Sequence, residues 1–317
     1  MAPITRARLF SATSALLITG LALTGCASSA TDASPSASAS SSQQGYQVKH
    51  AMGETKLPST PQRIVVLDSP HLDALVSLGI TPVGATESGA GSGLPEYLDL
   101  DDGKVSSVGL TSEPSIDKIA ELKPDLIIGS KVRHEAIYSE LSAIAPTVFS
   151  ENSGTDWQEQ ARVTAAAVGQ SEKMEAQLAS LETRAHEVGE EIGAEGTTLS
   201  MVRFRPDNFR LYGPDSFSGS LLTEVGFDLG SEGWNEYSMK ELSPEQFEQI
   251  DGDVVFYANP GGDPNATTMS KVTGLWKELP AVKAGKTFEV EDETWMVGIG
   301  VVGANEILDD LEEDLSK

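Results

Sequence analysis

Cysteine is almost absent from this chain, since Cys26 is the only one among 317 residues. A single cysteine excludes any disulfide within the chain. Histidine is also scarce: the four residues His50, His71, His134 and His186 show no spacing typical of metal ligands. We therefore expect no direct site for a metal ion on protein side chains.

Basic residues are few relative to acidic ones. The chain has 22 Lys and Arg against 48 Asp and Glu, for a formal net charge of −26. Residues 1–25 contribute two arginines and no acid, so the remainder carries 20 basic and 48 acidic residues, a net charge of −28. Nucleic acids and anionic membrane surfaces attract basic proteins, so this charge argues against both as partners. Solubility of an exported protein accounts for the acidity.

Long apolar runs are also missing, apart from one near the N-terminus. Residues 1–25 combine two arginines with an apolar run that is too short to remain as a membrane-spanning helix, which is typical of a secretory signal peptide. The run ends in Leu23-Thr24-Gly25-Cys26, which resembles a bacterial lipobox. That resemblance implies that Cys26 becomes the lipid-modified first residue of the mature protein.

A low-complexity segment follows the signal peptide. Residues 26–45 consist mainly of Ser, Ala, Thr and Gln, which cannot form an apolar core. We predict a flexible tether between the lipid and a folded body. The protein is then expected at the outer face of the cell membrane, exported and lipid-anchored.

One pattern occurs twice in the folded body. Ser115–Ile128 reads SIDKIAELKPDLII, and Ser243–Phe256 reads SPEQFEQIDGDVVF. Each copy predicts a Ser-capped short helix, a tight turn and a buried strand. Asp117 and Glu245 hold the same position in the first helical turn, where the helix dipole favours an acid. Two distant copies indicate two similar lobes that each present one carboxylate.

The remaining pattern favours an α/β fold. Short apolar runs alternate with helical segments, which predicts mainly parallel central sheets covered by helices. We predict an N-terminal α/β lobe over residues 46–155, linking helices over 156–195 and a C-terminal α/β lobe over 196–317. Ser171 is predicted to cap a helix that runs to about Ile192, because one apolar stripe continues along this whole segment. At 1.5 Å per residue, a helix of roughly 22 residues spans about 33 Å and could join the two lobes.

Arginines and aromatic residues are concentrated in one predicted hairpin. The set comprises Arg203, Arg205 and Arg210, beside Phe204, Phe209 and Tyr212. Arginine suits ligand oxygen atoms, because its guanidinium donates in pairs. Trp234 and Trp295 lie in predicted loops and could form aromatic walls. A solvated basic hairpin and buried packing tryptophans are the alternatives.

A glycine motif near the C-terminus does not fit its usual function. Gly298-Ile-Gly-Val-Val-Gly303 matches GxGxxG and precedes a predicted helix. Dinucleotide binding would need a βαβ unit and an acid about 20 residues further on, and too little chain remains. No serine or cysteine has a recognisable base partner either, so we expect no enzyme activity.

The body from Tyr46 to Leu315 resembles the iron-siderophore substrate-binding proteins of bacterial ABC importers. The resemblance rests on the order and spacing of Pro61–Leu67, Gly79–Gly84, Leu122–Ile128, Ile144–Val148, Leu211–Gly213 and Asp309–Leu311. It implies two α/β lobes joined by one long helix, with a shallow ligand cleft between them.

The resemblance also implies roles for particular residues. Asp117 and Glu245 match the carboxylates that dock on arginines of the two permease subunits, although relatives often have Glu at the first place. Arg133 lies where the first lobe of relatives faces the ligand, and the strand of Arg203 carries ligand-contacting arginines in relatives.

The resemblance leads to one expected function. We expect a monomer that binds a ferric siderophore and delivers it to the dimeric permease of an ABC importer. Iron would be held by the siderophore, so the protein itself needs no cofactor. Acidity favours hydroxamate siderophores, because three hydroxamates neutralise ferric iron whereas three catecholates leave a trianion. Haem or cobalamin uptake, and an exported enzyme on a similar scaffold, are the alternatives.

Overall fold

Short strands and helices alternate along the folded body and assemble into two sheets. The structure is a computed structural model that describes residues 45–88, 93–101 and 103–316. The predicted signal peptide, Cys26 and all but the last residue of the predicted tether lie outside the described residues. Below, the first lobe means residues 46–155 and the second lobe means residues 196–317.

The first lobe is built from eight strands and four helices among the described residues. They are β1 (Tyr46–His50), β2 (Gly53–Leu57), β3 (Ile64–Val66), α1 (Ser69–Ser77), β4 (Gly84–Glu87), β5 (Ser106–Leu110), β6 (Glu113–Pro114), α2 (Ile116–Glu121), β7 (Leu126–Ser130), α3 (Lys131–His134), α4 (Tyr138–Ile144) and β8 (Thr147–Ser150). Strands β1 and β2 form an antiparallel hairpin. The other six strands form one sheet in the order β6-β5-β4-β3-β7-β8, and only the edge pair β5–β6 is antiparallel.

Both faces of this first sheet are buried, as its continuous apolar strands require. Side chains alternate between the faces along each strand. Ile64 and Val66 pack into the core beneath α1, whereas Val65 and Leu67 join a second core with Ile119 of α2. The predicted covering of the sheet by helices is therefore present.

Two helices lead from the first lobe to the second: α5 (Trp157–Ala167) and α6 (Ser171–Ile192). Helix α6 has the predicted length, and its apolar stripe is buried from Met174 to Val188. Gly189 lets the helix over Phe217–Val225 approach closely, because a Cβ at position 189 would overlap the carbonyl oxygen of Val225. Ser171 is the first helical residue and Gln170 is the N-cap, so the predicted cap position is wrong by one residue.

The second lobe carries five strands and four helices in its described residues. They are β9 (Leu199–Phe204), β10 (Phe209–Tyr212), α7 (Phe217–Val225), β11 (Met239–Leu242), β12 (Val254–Ala258), α8 (Met269–Thr273), α9 (Pro280–Ala284), β13 (Thr287–Val290) and α10 (Val301–Leu315). The sheet order is β11-β10-β9-β12-β13. Strands β9, β12 and β13 are parallel, and the predicted hairpin of β9 and β10 adds the antiparallel part.

The second sheet also separates two cores. Met201 and Phe256 face the core that α6, α7 and α10 share with the first lobe, whereas Val202 and Phe204 face a core of the second lobe alone. Arg184 ties α6 to α10 through Asn305, Asp309 and Glu312. The predicted fold, two α/β lobes with mainly parallel sheets joined by one long helix, is confirmed. None of the described helices is both long and apolar enough to cross a membrane.

The repeated segment has the predicted local structure in both copies, with one difference. Ser115 caps α2 by accepting a hydrogen bond from the backbone amide of Lys118 at 3.4 Å, and β7 follows. Ser243 starts a capping box with Gln246, and β12 follows. Here the helix is a 3₁₀ helix over Pro244–Gln249, within which Gln246 departs from helical backbone angles.

One helical segment of the first lobe is divided. The segment from His134 to Ile144 begins with a 3₁₀ turn at Glu135–Ile137, and α-helical structure resumes only at Tyr138. His134 has a non-helical backbone, with φ of −121° and ψ of 7°. Its buried ring bonds to the carbonyl oxygen of Thr111 at 2.9 Å and to the backbone amide of Ser130 at 3.3 Å. The bond to Thr111, which is 23 residues away, overrides the local helical preference.

Candidate ligand-binding cleft

A cleft with a volume of about 370 Å³ lies between the lobes. On the first lobe it is lined by residues that follow β7 and β8, where the carboxyl ends of parallel strands commonly form ligand sites. On the second lobe it is lined by β10, the start of α7, the segment before β11 and the segment before α10. The lining residues are Val132, Arg133, Ser153–Thr155, Tyr212, Ser216–Ser218, Tyr237, Met239, Trp295, Met296 and Ile299.

The cleft walls are mostly apolar or uncharged. Arg133 is the one charged side chain among the described residues that line it. Val132 on the first lobe and Tyr237 on the second are 52% and 47% exposed, unusually high values for large apolar side chains in this protein. Ligand sites typically combine apolar walls with a few placed polar groups, and this cleft has that composition.

Arg133 is held in place by a buried acid. Its Nε lies 3.1 Å from Oδ2 of Asp68, and the arginine side chain remains 46% exposed while the aspartate is almost fully buried. Asp68 also accepts hydrogen bonds from the Ser130 hydroxyl at 2.6 Å and from the backbone amide of Ser69, which starts α1. The guanidinium therefore presents remaining donors to the cleft, but its charge is already neutralised.

Tyr212 and Trp295 also belong to the cleft, in different ways. Tyr212 lies on β10 and is partly exposed. Trp295 is 0% exposed: its ring stacks on Phe256 with centroids 4.9 Å apart, and its Nε1 donates to Oδ2 of Asp310 at 2.7 Å. Burial raises the pKa of Asp310, and the indole bond opposes that rise. Trp295 thus supports the cleft floor from beneath, as a packed residue.

Arg203 and Arg210 lie side by side on neighbouring strands, and both are paired with acids. Arg203 makes a bidentate ion pair with Asp292, with both nitrogen–oxygen distances at 2.6 Å. Arg210 pairs with Glu241, its partner across β10 and β11. Arg203 lines a neighbouring compartment of about 620 Å³, on the other side of the π-helical turn Glu293–Val297.

The structure does not bring two further predicted residues to the cleft. Arg205 follows β9 at the hairpin turn and makes no ion pair within the described part of the chain. Trp234 packs on Gly213, donates from Nε1 to the carbonyl oxygen of Gly230 at 2.9 Å, and lies under the ammonium of Lys240 at 4.2 Å. Trp234 lines a separate groove beside the start of β9.

Several cleft residues were missed by sequence analysis. They are Val132, Phe217, Tyr237, Met239, Met296 and Ile299. Apolar residues of this kind look like core residues in a sequence, and their lining role depends on how the lobes meet. Tyr237 precedes β11 in a segment rich in charged and polar residues, and this isolated aromatic was the one available signal.

Asp117 and Glu245 are exposed at equivalent places in the two lobes. Each lies in the first turn of a short helix that directly follows the edge strand of its sheet. Hydrogen bonds from its own backbone amide and from the Ser243 hydroxyl lower the pKa of Glu245. Both positions suit contact with a partner, and the docking role stays a prediction.

The histidines serve mainly as hydrogen-bonding groups. His71 is fully buried and bonds to the hydroxyls of Thr164 and Ser150. His186 contacts Glu224 at 2.8 Å, and Glu182 lies near both. The ligand atoms of these three exposed residues lie within 4.8 Å of one another, an arrangement that the sequence analysis did not predict. Exposed groups of this kind are common without a bound ion.

Two α/β lobes, one long connecting helix and a cleft between the lobes define a bilobed solute-binding protein. The family model described as "Periplasmic binding protein" matches residues 64–294, and the chain belongs to this family. The predicted resemblance is confirmed. Members of the periplasmic binding protein family are binding components of transport systems, and the sequence likewise predicts a binding protein without catalysis.

Known relatives have similar length and similar structure. The chain is 39% identical over 311 residues to "Probable siderophore-binding lipoprotein YfiY" of Bacillus subtilis (strain 168), with 93% of this chain and 94% of that protein covered. It is 32% identical to "Fe(3+)-citrate-binding protein YfmC" of the same organism, with 91% of each covered. The crystal structure of Staphylococcus aureus SirA complexed with staphyloferrin B matches with a TM-score of 0.73 at 30% identity, covering 85% of this chain and 98% of that chain.

Proposed function

We propose that this protein is the substrate-binding component of an ABC importer and that it captures a ferric siderophore of the hydroxamate type. The observation that carries the proposal is the charge-poor cleft: among the described residues that line it, Arg133 is the one cation, and it is already paired with Asp68. A ligand without net charge at its iron centre can enter such a cleft without leaving a buried charge unpaired.

The walls fit the organic part of such a ligand. Aromatic and thioether side chains such as Tyr212, Tyr237, Met239 and Met296 offer adaptable apolar contact. The free donors of Arg133 can reach hydroxamate or carbonyl oxygens, since a guanidinium donates from several nitrogens. Iron would remain within the siderophore, as cargo, and no protein side chain would ligate it.

Relatives support the cargo class. One is named "Probable siderophore-binding lipoprotein", another is named an Fe(3+)-citrate-binding protein, and the matched crystal structure holds staphyloferrin B. Their descriptions span more than one iron-chelating chemistry, so the choice of hydroxamate rests on the charge of this cleft. Haem and cobalamin stay as outcomes of the test.

The proposal includes a membrane anchor and a permease. Lipid on Cys26 and a tether over residues 26–45 would hold the folded body at the outer face of the membrane. Asp117 and Glu245 would each dock on one subunit of the permease dimer, with the cleft between them. A monomer suffices for this arrangement, because each lobe supplies one docking carboxylate.

Calorimetric titration of the folded body tests the proposal. The ligands are ferrioxamine, ferrichrome, ferric citrate, a ferric triscatecholate, haem and cobalamin. We expect a trihydroxamate to bind with submicromolar Kd and the triscatecholate to bind at least about 100-fold more weakly. Tighter binding of the triscatecholate would contradict the charge argument. Binding of haem or cobalamin alone would change the cargo, and no binding at all would favour an exported enzyme.

A further inference from the structure

A fully buried carboxylate of the first lobe holds the start of a helix of the second lobe. Asp73 lies on α1 and is 0% exposed. Its Oδ1 accepts a hydrogen bond from the backbone amide of Val302 at 3.0 Å, and its Oδ2 accepts one from that of Gly303 at 2.9 Å. The hydroxyl of Tyr97 donates to the same carboxylate at 3.2 Å. Asp73 thus satisfies amides at the N-terminus of α10 that have no partner within the helix.

The glycine motif explains how this close contact is possible. A Cβ on Gly300 would overlap Oδ1 of Asp73, and a Cβ on Gly303 would overlap the carbonyl oxygen of Gly298. GxGxxG sequences let a helix N-terminus approach an anion, which in dinucleotide-binding proteins is a phosphate. Here the anion is internal, since the carboxylate of Asp73 occupies the start of the helix.

The segment held by this contact forms part of the ligand cleft. Trp295, Met296 and Ile299 line the cleft and precede α10 directly. Trp295 also bonds to Asp310 of α10, so the segment is fixed to that helix at two places. The position of α10 relative to the first lobe therefore sets where Met296 and Ile299 stand.

We infer that Asp73 is a positioning residue for ligand binding: it anchors the N-terminus of α10 to the first lobe and so fixes Met296 and Ile299 in the cleft. The inference rests on the proposed function, because it concerns affinity for a ligand of that cleft. Asp73 lines neither the cleft nor the neighbouring compartment, so its effect is indirect.

The anchor depends on the ionised form of Asp73. Both oxygens of the carboxylate accept backbone amides, and a proton on either oxygen would face an amide donor. Burial raises the pKa of Asp73 to about 6, although the bonds from Gly303, Val302 and Tyr97 oppose this rise. Acidification below about pH 6 should therefore weaken the anchor and the affinity for ligand.

Few other ionisable groups act on this carboxylate. Tyr97, on the turn before β5, has a pKa raised well above its usual value by burial and by Asp73 itself, with a smaller effect of Glu293. His71 lies on the same helix and is neutral near pH 6, because burial lowers its pKa to about 4. Helix α5 packs on α1, and the Thr164 hydroxyl of α5 forms a hydrogen bond with His71 of α1. The carboxylates Asp309 and Glu312 of α10 pair with α6.

Substitution of Asp73 tests the inference directly. Asp73→Asn keeps the size but turns an amide NH₂ toward the backbone donors of Val302 or Gly303. We expect the Kd for the bound ferric siderophore to rise about tenfold. We also expect the wild-type Kd to rise as pH falls through about 6, and this dependence to flatten in the variant.

Two other variants separate positioning from general stability. Gly300→Ala keeps Asp73 but forces the carboxylate away from the helix, and it should also raise the Kd. Arg184→Gln removes the tie between α6 and α10 at the other side of α10 and serves as the control. It should lower the thermal midpoint without changing the Kd.

Hydrogen exchange at the amides of Val302 and Gly303 reports on the anchor itself. Both should be protected in wild type and exchange faster in Asp73→Asn. Unchanged Kd in Asp73→Asn and Gly300→Ala, measured on folded protein, overturns the inference. The inference is also overturned if Arg184→Gln raises the Kd as much as Asp73→Asn does and the two variants have similar thermal midpoints. Loss of stability alone would then explain the effect. A wild-type protein that binds no ferric siderophore overturns the proposed function instead.

Discussion

Arg133 and Asp68 form an ion pair at the edge of the cleft, with 3.1 Å between Nε and Oδ2. The aspartate also caps α1 and accepts from Ser130, so the arginine is fixed to the first sheet through a buried group. This pair gives the cleft a directed donor without a net charge. That property underlies the expected preference for an uncharged iron complex.

Removal of Arg133 should weaken ligand binding. Arg133→Gln loses the charge-assisted donors to ligand oxygens, and we expect a rise in Kd of about tenfold or more. Asp68 keeps its bonds from Ser130 and Ser69, so the folded body should persist. Lys131→Gln is the matched control on the same short helix, because Lys131 pairs with Glu151 and lines neither compartment. Equal affinity of wild type and Arg133→Gln for every ferric ligand would place the binding site elsewhere.

Arg203 and Asp292 should stabilise the second lobe as a pair. Both side chains are largely buried, and loss of one partner leaves the other charge without compensation. We expect Arg203→Met to lower the free energy of unfolding by about 3 kcal/mol. Arg203→Met combined with Asp292→Leu should recover most of this loss in a denaturant titration. If the double variant is as unstable as the sum of the single ones, the two residues are not coupled.

Asp117 and Glu245 should matter for transport and not for binding. Replacement of both by Ala should abolish cellular uptake of iron from the siderophore while the Kd of the purified protein is unchanged. Glu121→Ala with Glu248→Ala is the control, because these exposed acids lie on the same two elements. A loss of affinity in the first double variant, or equal loss of uptake in the control, would refute the docking role.

Two buried groups on α1 should have opposite effects on stability in acid. Burial lowers the pKa of His71 from 6.5 to about 4, so its contribution is present above pH 6.5 and is lost as pH falls to 4. Burial raises the pKa of Asp73 from 3.8 to about 6, because the buried site favours the neutral carboxyl group. The contribution of this protonation to the free energy of unfolding is therefore present below pH 3.8 and is lost as pH rises to 6. Near pH 5 the two contributions change by similar amounts in opposite directions, and wild type should show little net effect from them.

Single substitutions should reveal each titration. Relative to wild type, Asp73→Asn should lose about 3 kcal/mol of stability as pH falls from about 6 to 4. His71→Gln should gain a similar amount over the same range, because only the opposing effect of Asp73 remains. Chemical denaturation at several pH values measures both, and the comparison with wild type cancels the other groups. Parallel curves for all three proteins would show that neither group has the stated shift.

Much of the fold could be predicted because it depends on local patterns. The stripe of α6 from Met174 to Val188 and the strand Leu199–Phe204 are visible in the periodicity of apolar residues. The two Ser-capped segments could be aligned without any structure. The hairpin β1–β2 was missed, because its strands are short and carry mixed polar residues.

The site was harder to predict because it depends on contacts between distant residues. Arg203 was recognised as a candidate, but its pairing with Asp292 joins positions 89 residues apart. Trp295 was predicted as a possible wall, and only the packing on Phe256 shows that its ring is inaccessible. The sequence context argued against a dinucleotide site at the glycine motif, and the contact of this motif with Asp73 could not be read from the sequence.

In our proposal, a ferric siderophore binds in the cleft above Trp295. Titration of the folded body with iron-loaded and iron-free ferrioxamine, followed by tryptophan fluorescence, tests it most directly. We predict saturable quenching at submicromolar concentration with the ferric complex and none with the iron-free form. Absence of quenching by ferrioxamine and by every other ferric siderophore, or an equal response to the iron-free ligand, would contradict the account.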